Sequence, residues 1–502
     1  MKKALVKWFT LAVTLMLLIG LLLPAASLAG STQLDEVTLR LYFPGDKRAA
    51  TDDVWNYVSE LTKEKINARL EVTFIPWNDY QDKIQLMCAS GDDYDMNFDG
   101  TWLMYPKMVN KDAYLDLKDL APVNMPAYYK KLDEAGFIQG AMSGGKLLCV
   151  PWTPVFVNKP LIKWNEVDSG MEAAGITYEN GSIKTVEDLD RVLHEVQAKV
   201  PDKHYWETAD VNMTTTGWLL YPKYNFDFSF NYHNFTYKLD DPSLALIPLE
   251  QTELFKEIVT WNTKWVQEGL MPKDLLVNRD AHFNESKSIK IFGIETMEYV
   301  YFDNNYKKPG YKYSEVYPDG MWTQRSPIDN VMCINKNAKN PERALMFLDL
   351  MSTDPAVYEA VLYGIEGKTY VKKGDSFEYP DGMTADTSNY IDWSGQWGLW
   401  RDYLMKSSGP RSAESWQKNA EYALNPKFIV SPTVSFFPTD EAIKNELAKR
   451  DALFEEFGKP LLYGLSKNPE KDLADYIQMQ KDAGLDKILA ELQKQIDAYK
   501  AK

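Results

Sequence analysis

Residues on which many enzyme signatures depend are scarce in this sequence. Histidine occurs four times, at His194, His204, His233 and His282, and never as His-Glu-x-x-His, so a zinc hydrolase centre has little support. A Gly-x-Ser-x-Gly elbow is missing, which removes the usual α/β-hydrolase nucleophile. Only three cysteines occur, Cys88, Cys149 and Cys333, an odd number at wide spacing. That excludes a disulfide scaffold and reads as buried thiols, with a single pair left open. Positive charge is also short: 56 Lys and Arg face 72 Asp and Glu, for a net charge of -16. Lys2, Lys3 and Lys7 face no acid among the first 29 residues, so the rest of the chain is more acidic still. A general nucleic-acid binder, which must neutralise phosphates, does not fit this balance. No period of roughly 20 to 50 residues recurs, which argues against a repeat architecture.

What is present begins with an address. Met1-Lys2-Lys3 opens a basic segment, Trp8 to Leu23 is almost wholly apolar, and Pro24-Ala25-Ala26 leads into Ser27-Leu28-Ala29, with small residues where a signal peptidase reads them. Residues 1–29 are therefore expected to be a secretory signal cut after Ala29. The apolar run is short for a permanent anchor and lacks a stop-transfer flank. No later stretch approaches membrane-spanning length, so the mature chain is expected to be soluble outside the cytoplasm. With 502 residues, 45% hydrophobic and 25% charged, it can bury a large core and form two or more domains.

Hydrophobic periodicity outlines the organisation. Val37 to Phe43 alternates as a strand, Asp53 to Ile66 is helical, Leu70 to Ile75 is a strand, Asp79 to Ala89 is helical, and Met96 to Phe98 is a short strand. This βαβαβ order opens a largely parallel sheet covered by helices, an α/β class. Further strands are expected at Leu147 to Pro151, Val155 to Val157, Ser288 to Ile294 and Val331 to Asn335. Helices are expected at Val186 to Lys199, Glu253 to Glu268 and Pro341 to Met351. In the last sixty residues Thr439-Asp440 reads as the cap of a helix over Glu441 to Phe457, Asn468-Pro469-Glu470 opens a second, and Asp486 to Tyr499 forms a third.

Two partial motifs fail on single residues. Gly364-Ile-Glu-Gly-Lys-Thr369 ends like a phosphate loop, but Leu362 stands where its first glycine is required. Asp93, Asp95 and Asn97 match the first ligands of a calcium loop, but Phe98 replaces the glycine and Met104 the glutamate. No cofactor or metal is therefore expected. Paired carboxylates for glycoside hydrolysis stay open, because 72 acids place some pairs about 5 to 10 Å apart in any fold.

Aromatics are the unusual class, with 15 Trp, 30 Tyr and 21 Phe. Trp77 follows the second strand, Trp102 the third, Trp152 the strand ending in Pro151, and Tyr299 the strand ending at Ile294, while Trp393, Trp397 and Trp400 crowd one segment. Open α/β sheets bind ligands at such carboxyl ends. Sugar rings combine an apolar C–H face with a hydroxyl rim, which suits aromatic planes beside Asp, Glu and Gln. The expected stacking residues are Trp77, Trp102, Trp152, Tyr299, Trp393 and Trp397, and the expected hydroxyl partners are Asp46, Asp99, Glu295 and Gln396. Trp261 and Trp265, four apart on one helix, are expected in the core.

The chain resembles the extracellular family 1 solute-binding proteins of bacterial ABC importers, in their Gram-positive oligosaccharide-type branch. Met87-Cys-Ala-Ser-Gly-Asp-Asp-Tyr-Asp95 followed by Trp102, Gly145-Lys-Leu-Leu-Cys-Val-Pro-Trp152, Val331 to Leu345, Tyr363-Gly-Ile-Glu-Gly-Lys368 and the closing Ala483-Gly-Leu-Asp486 carry the likeness. The resemblance implies a two-lobed periplasmic-binding-protein-like fold, each lobe an open mainly parallel sheet flanked by helices, with a helical C-terminal extension. Its expected boundaries are 30–153 with 323–375 for the first lobe, 154–322 with 376–440 for the second, and 441–502 for the extension. It further implies a monomer that holds a sugar or oligosaccharide between lobes without covalent chemistry and hands it to permease subunits. No cysteine closely follows the apolar run, so the lipid anchor common in such proteins is not expected. A secreted carbohydrate-active enzyme with paired carboxylates is the alternative.

Overall fold

A computed structural model describes residues 34–157, 159–200, 214–230, 232–277, 293–296, 311–374, 376–384, 387–390, 396–408, 417 and 420–501. The leader, Tyr299 and Trp393 lie outside them. The first unit is the βαβαβ run that the periodicity predicts: β1 (Val37–Pro44), α1 (Thr51–Ile66), β2 (Ala68–Ile75), α2 (Trp77–Ser90) and β3 (Met96–Asp99). Leu39, Leu41 and Phe43 of β1 point into the core, and α1 covers them with Val54 and Val58. Asn67, at φ 47°, ends α1 in the left-handed region and turns the chain directly into β2.

After the short β4 (Val150–Pro151) and β5 (Pro160–Asn165) comes α3 (Val186–Lys199), whose first turn is capped by Thr185 accepting from Asp188 N at 3.1 Å. Val186, Leu189, Val192, Leu193 and Val196 give it one buried face. Next are α4 (Thr215–Tyr224), α5 (Glu253–Gln267), β6 (Gly293–Thr296), β7 (Tyr311–Glu315), β8 (Trp322–Thr323) and β9 (Val331–Ile334). Helices α6 (Pro341–Thr353) and α7 (Pro355–Tyr363) start on prolines, whose fixed φ and missing N–H suit a first turn. The chain closes with β10 (Phe428–Ile429), α8 (Lys444–Leu453), α9 (Pro469–Asp482) and α10 (Leu485–Lys500).

The main sheet runs β2-β1-β3-β9-β4, with β1 parallel to β2 and β3, and β9 antiparallel to β3 and β4. It is sandwiched in one hydrophobic core with α1, α6 and α7. A second core gathers β5, α3, α4 and α5, and a third joins residues 230–246 to α8 and α10. No helix among the described residues is long and apolar enough to cross a membrane.

The two-lobed α/β expectation holds, with corrections to its detail. In the second lobe the sheet β6-β5-β7 is antiparallel throughout, because hydrophobic period marks a strand without fixing its direction. Val155 to Val157 is not a strand: Phe156 enters the first core and Val157 the second, so the alternation serves a crossing segment. Leu147 to Pro151 divides into two short strands in different sheets. The first lobe extends past 375, since Phe377, Tyr390, Leu399, Trp400 and Met405 belong to its core. Arg401 fixes this return, fully buried, with Nε donating to Ser352 at 3.1 Å and its guanidinium 3.7 Å from the Tyr128 ring. The extension has no core of its own; α8 and α10 share the third core and Tyr476 of α9 stacks on Phe255. Its first helix starts at Lys444 without a side-chain cap, and Asp440 instead accepts a hydrogen bond from the Tyr232 hydroxyl at 3.0 Å. The three cysteines are free thiols, two buried and Cys88 half-buried beside the Tyr94 hydroxyl at 3.1 Å. Trp265 is buried as expected and Trp261 half-buried against it.

Candidate ligand cleft

A cavity of about 710 Å³ opens between the lobes. Its first wall is the turn that follows β3. Asp99 is fully buried and accepts from Gly100 N at 2.8 Å, Met104 N at 3.1 Å and the Tyr114 hydroxyl at 2.5 Å. Burial pushes its carboxyl up to about 7, opposed by those three hydrogen bonds. Gly100 is required by contact: a Cβ there would lie 2.0 Å from the Asp329 carbonyl oxygen. The turn is pinned to a second crossing segment, between Trp322 of the second core and Ile328 and Val331 of the first, by Thr101 donating to Asp329 at 2.5 Å and Trp102 Nε1 donating to Asn330 at 3.1 Å.

Trp102 is held in place yet 48% exposed, and it lines the cavity. Trp77 and Trp397 back it, with ring centroids 6.0 and 6.1 Å away, and stand 5.7 Å from each other. Chain positions 77, 102 and 397 thus meet in one aromatic cluster at the carboxyl ends of β2 and β3. Burying its rear while exposing one indole leaves a rigid apolar face of low conformational entropy.

The opposite wall comes from the second lobe. Trp322 stacks on Phe228 at 5.0 Å, and Ser229 and Thr323 hydroxyls meet at 2.6 Å. Beneath them Asp227 is fully buried and accepts from Tyr237 at 2.5 Å, Ser431 at 2.6 Å and Ser229 N at 2.7 Å. Burial raises its carboxyl above the usual range, and the Ser431 and Tyr237 hydrogen bonds oppose that. At the crossing segment Arg325 pairs with Asp329 at 2.8 Å and lies 5.3 Å from the Trp152 ring.

Of the residues expected from sequence, Trp102 lines the cavity and Trp77 and Trp397 support it. Three others are corrected by their burial. Asp99 has its carboxylate committed to the turn, Gln396 donates to the Tyr390 hydroxyl at 3.1 Å, and Trp152 is 1% exposed between Phe156 and Trp400. Asp46 is exposed but does not line the cavity, and Glu295 sits in β6 opposite Leu161. Tyr299 and Trp393 lie outside the described residues. Sequence reasoning missed Phe228, Phe230, Tyr232 and His233, although Phe226, Phe228, Phe230 and Tyr232 place an aromatic at every second position. The rejected motifs have structural roles: Thr369 donates to Tyr363 O at 2.6 Å inside its own turn, and Asp95 accepts from Arg40 N and Asn340 N.

Two α/β lobes, crossing segments between them and an aromatic cleft at the strand ends define a ligand-binding protein of the two-lobed class. Residues 49–358 match the model of the bacterial extracellular solute-binding protein family, and the chain belongs to that family. Residues 432–501 match a second model described only as a domain of unknown function. A carbohydrate ABC transporter substrate-binding protein of Streptococcus pneumoniae serotype 4 is 24% identical over 479 residues, covering 93% of this chain and 91% of that protein. Among solved structures, the N-glycan transport solute binding protein of S. pneumoniae superposes with a TM-score of 0.75 at 21% identity, over 92% of this chain and 99% of that one. Its complex with Man5GlcNAc gives 0.64 at 22% identity, over 92% and 98%. An extracellular solute-binding protein from Bifidobacterium longum subsp. infantis gives 0.66 at 14% identity, over 92% and 98%.

Proposed function

We propose that the protein captures a sugar or oligosaccharide in the interlobe cleft and delivers it, as a monomer, to the permease subunits of an ABC importer. The observation that carries this reading is Trp102, half-exposed in the cavity on a wholly buried mount of Phe98, Asp99 and Gly100. An indole face of this kind stacks on the C–H face of a pyranose, while the Ser229, Thr323 and Asp440 oxygens opposite suit its hydroxyl rim. The carbohydrate transport role of the pneumococcal relative supports the same ligand class. Binding without turnover is supported by the family match and by the transport role of the pneumococcal relative. The protein acts outside the cytoplasm after loss of residues 1–29.

A thermal-shift screen over mono- and oligosaccharides, with product analysis after overnight incubation, tests the reading. A sugar at 100 times its dissociation constant adds about 2.7 kcal/mol to the folded state. Saturable stabilisation with the sugar recovered intact is expected, and release of shorter products would replace binding with hydrolysis.

A further inference from the structure

We propose that the C-terminal segment 432–501 builds a second subsite of the cleft and thereby sets the length of sugar chain that the protein prefers. This rests on the sugar-binding reading above. The family model for these residues carries no assigned role, but their packing points to one. Thr433, Phe436 and Asp440 line the cavity directly. The helices that follow are built around the cleft loop: Ile443 and Leu447 of α8, with Leu485, Ile488, Leu492 and Ile496 of α10, close one core with Phe230, Phe235 and Tyr237.

The loop itself is held in an uncommon shape. His233 and Asn234 are consecutive left-handed residues, at φ 49° and 59°, a region that residues bearing a Cβ adopt rarely. Arg450 of α8 fixes both. Its Nε donates to His233 O at 2.8 Å and its Nη2 to Asn234 O at 3.0 Å. The same guanidinium forms a fork with Glu250 at 2.8 and 2.9 Å, with both side chains 1% exposed, and lies 4.3 Å from the Phe235 ring. A planar five-donor group can bridge two carbonyls and a carboxylate together, which an ammonium cannot. Asp451, the next residue of α8, meets His233 Nδ1 at 2.8 Å.

The outcome is that Tyr232 and His233 are presented to the cavity edge-to-face, centroids 4.5 Å apart, with the Tyr232 hydroxyl on Asp440. Aromatic plane, imidazole and carboxylate together repeat the chemistry expected for one sugar ring. The two subsites are bounded by different contacts: Trp102 by the crossing segment at Asn330, and Tyr232 by the C-terminal segment, which also accepts from Asn110 at Pro438 O at 3.1 Å. Trp102 and the Tyr232–His233 pair line the same cavity on separate supports, so a chain of several rings can engage both while a single ring engages one.

The test titrates the full chain calorimetrically with glucose-, mannose- and fructose-type oligosaccharide ladders of one to five units. Wild type is compared with Tyr232→Ala, His233→Gly and Arg450→Lys. His233→Gly removes the ring while suiting the left-handed backbone, so its melting temperature is expected to stay within a few degrees of wild type. Wild type is expected to prefer the longer members, and each variant to reduce that preference about tenfold or more. Arg450→Lys keeps the charge and tests the positioning. If it fails to fold, Tyr232→Ala and His233→Gly still decide. A wild type that binds sugars without regard to length, or variants that keep its preference, would overturn the proposal. A wild type that binds no sugar would overturn the underlying function as well.

Discussion

Trp102 and His233 face the same cavity, but they are held there by different means. Trp102 follows a sheet strand whose Met96 and Phe98, like Val331 on the adjacent strand, are wholly buried, and backbone N–H groups donating to Asp99 close the turn. His233 rides on a loop, and its backbone shape depends on one ion pair reaching across from α8. Apolar packing is non-directional and spread over many contacts, whereas a buried ion pair concentrates its effect in two side chains. One wall should therefore tolerate single changes that the other does not.

Cutting the ion pair should give the largest effect. Arg450→Met leaves Glu250 buried without its partner and the His233 and Asn234 carbonyls without their donor, and should cost about 3 to 5 kcal/mol, read from urea unfolding, while adding Glu250→Leu should recover only the part due to the unpaired charge. If the double variant regains wild-type stability, the loop does not depend on Arg450. A smaller effect is expected on the first wall. Gly100→Ala forces a Cβ against Asp329 O, and overpacking of this kind costs about 1 to 3 kcal/mol. A melting temperature equal to wild type would show that the turn and crossing segment move apart freely.

A third effect is one of pH, read as a slope. Asp99 titrates near 7 in the folded chain and near an ordinary carboxylate value when unfolded, so between about pH 4 and 7 the folded state holds the extra proton. Stability contributed by the neutral carboxyl is then lost as pH rises through that window, at up to about 1.4 kcal/mol per pH unit. Asp99→Asn should flatten this slope in unfolding curves taken from pH 5 to 7.5. Parallel slopes for variant and wild type would contradict the assigned burial.

The same contrast explains what was legible in the sequence. The first lobe follows local patterns: alternation in β1, a helical face in α1, and turn residues at Pro44-Gly45 and Ser90-Gly91 read directly onto its elements. The place of Trp102 after β3 is readable because a strand end is a local feature. Trp152 also follows a strand, yet it is buried, because only tertiary packing with Trp400, more than 200 positions away, decides which side of the crossing its ring takes. Arg450 and Glu250 carry no local sign of pairing, being 200 residues apart, and neither does the left-handed pair they support. The long-range polar contacts that shape the second wall have no periodicity to read.

The exposed face of Trp102 is expected to carry sugar binding, and calorimetric titration of wild type, Trp102→Ala and Trp152→Ala with the best sugar from the thermal-shift screen tests this most directly. Trp102→Ala should bind roughly 30-fold more weakly, a loss of about 2 kcal/mol, and should lose less stability than Trp152→Ala because the Trp102 ring is half-exposed. Trp152→Ala should lose about 3 to 5 kcal/mol of stability through the cavity it leaves. Undiminished sugar affinity in a folded Trp102→Ala protein would contradict the account.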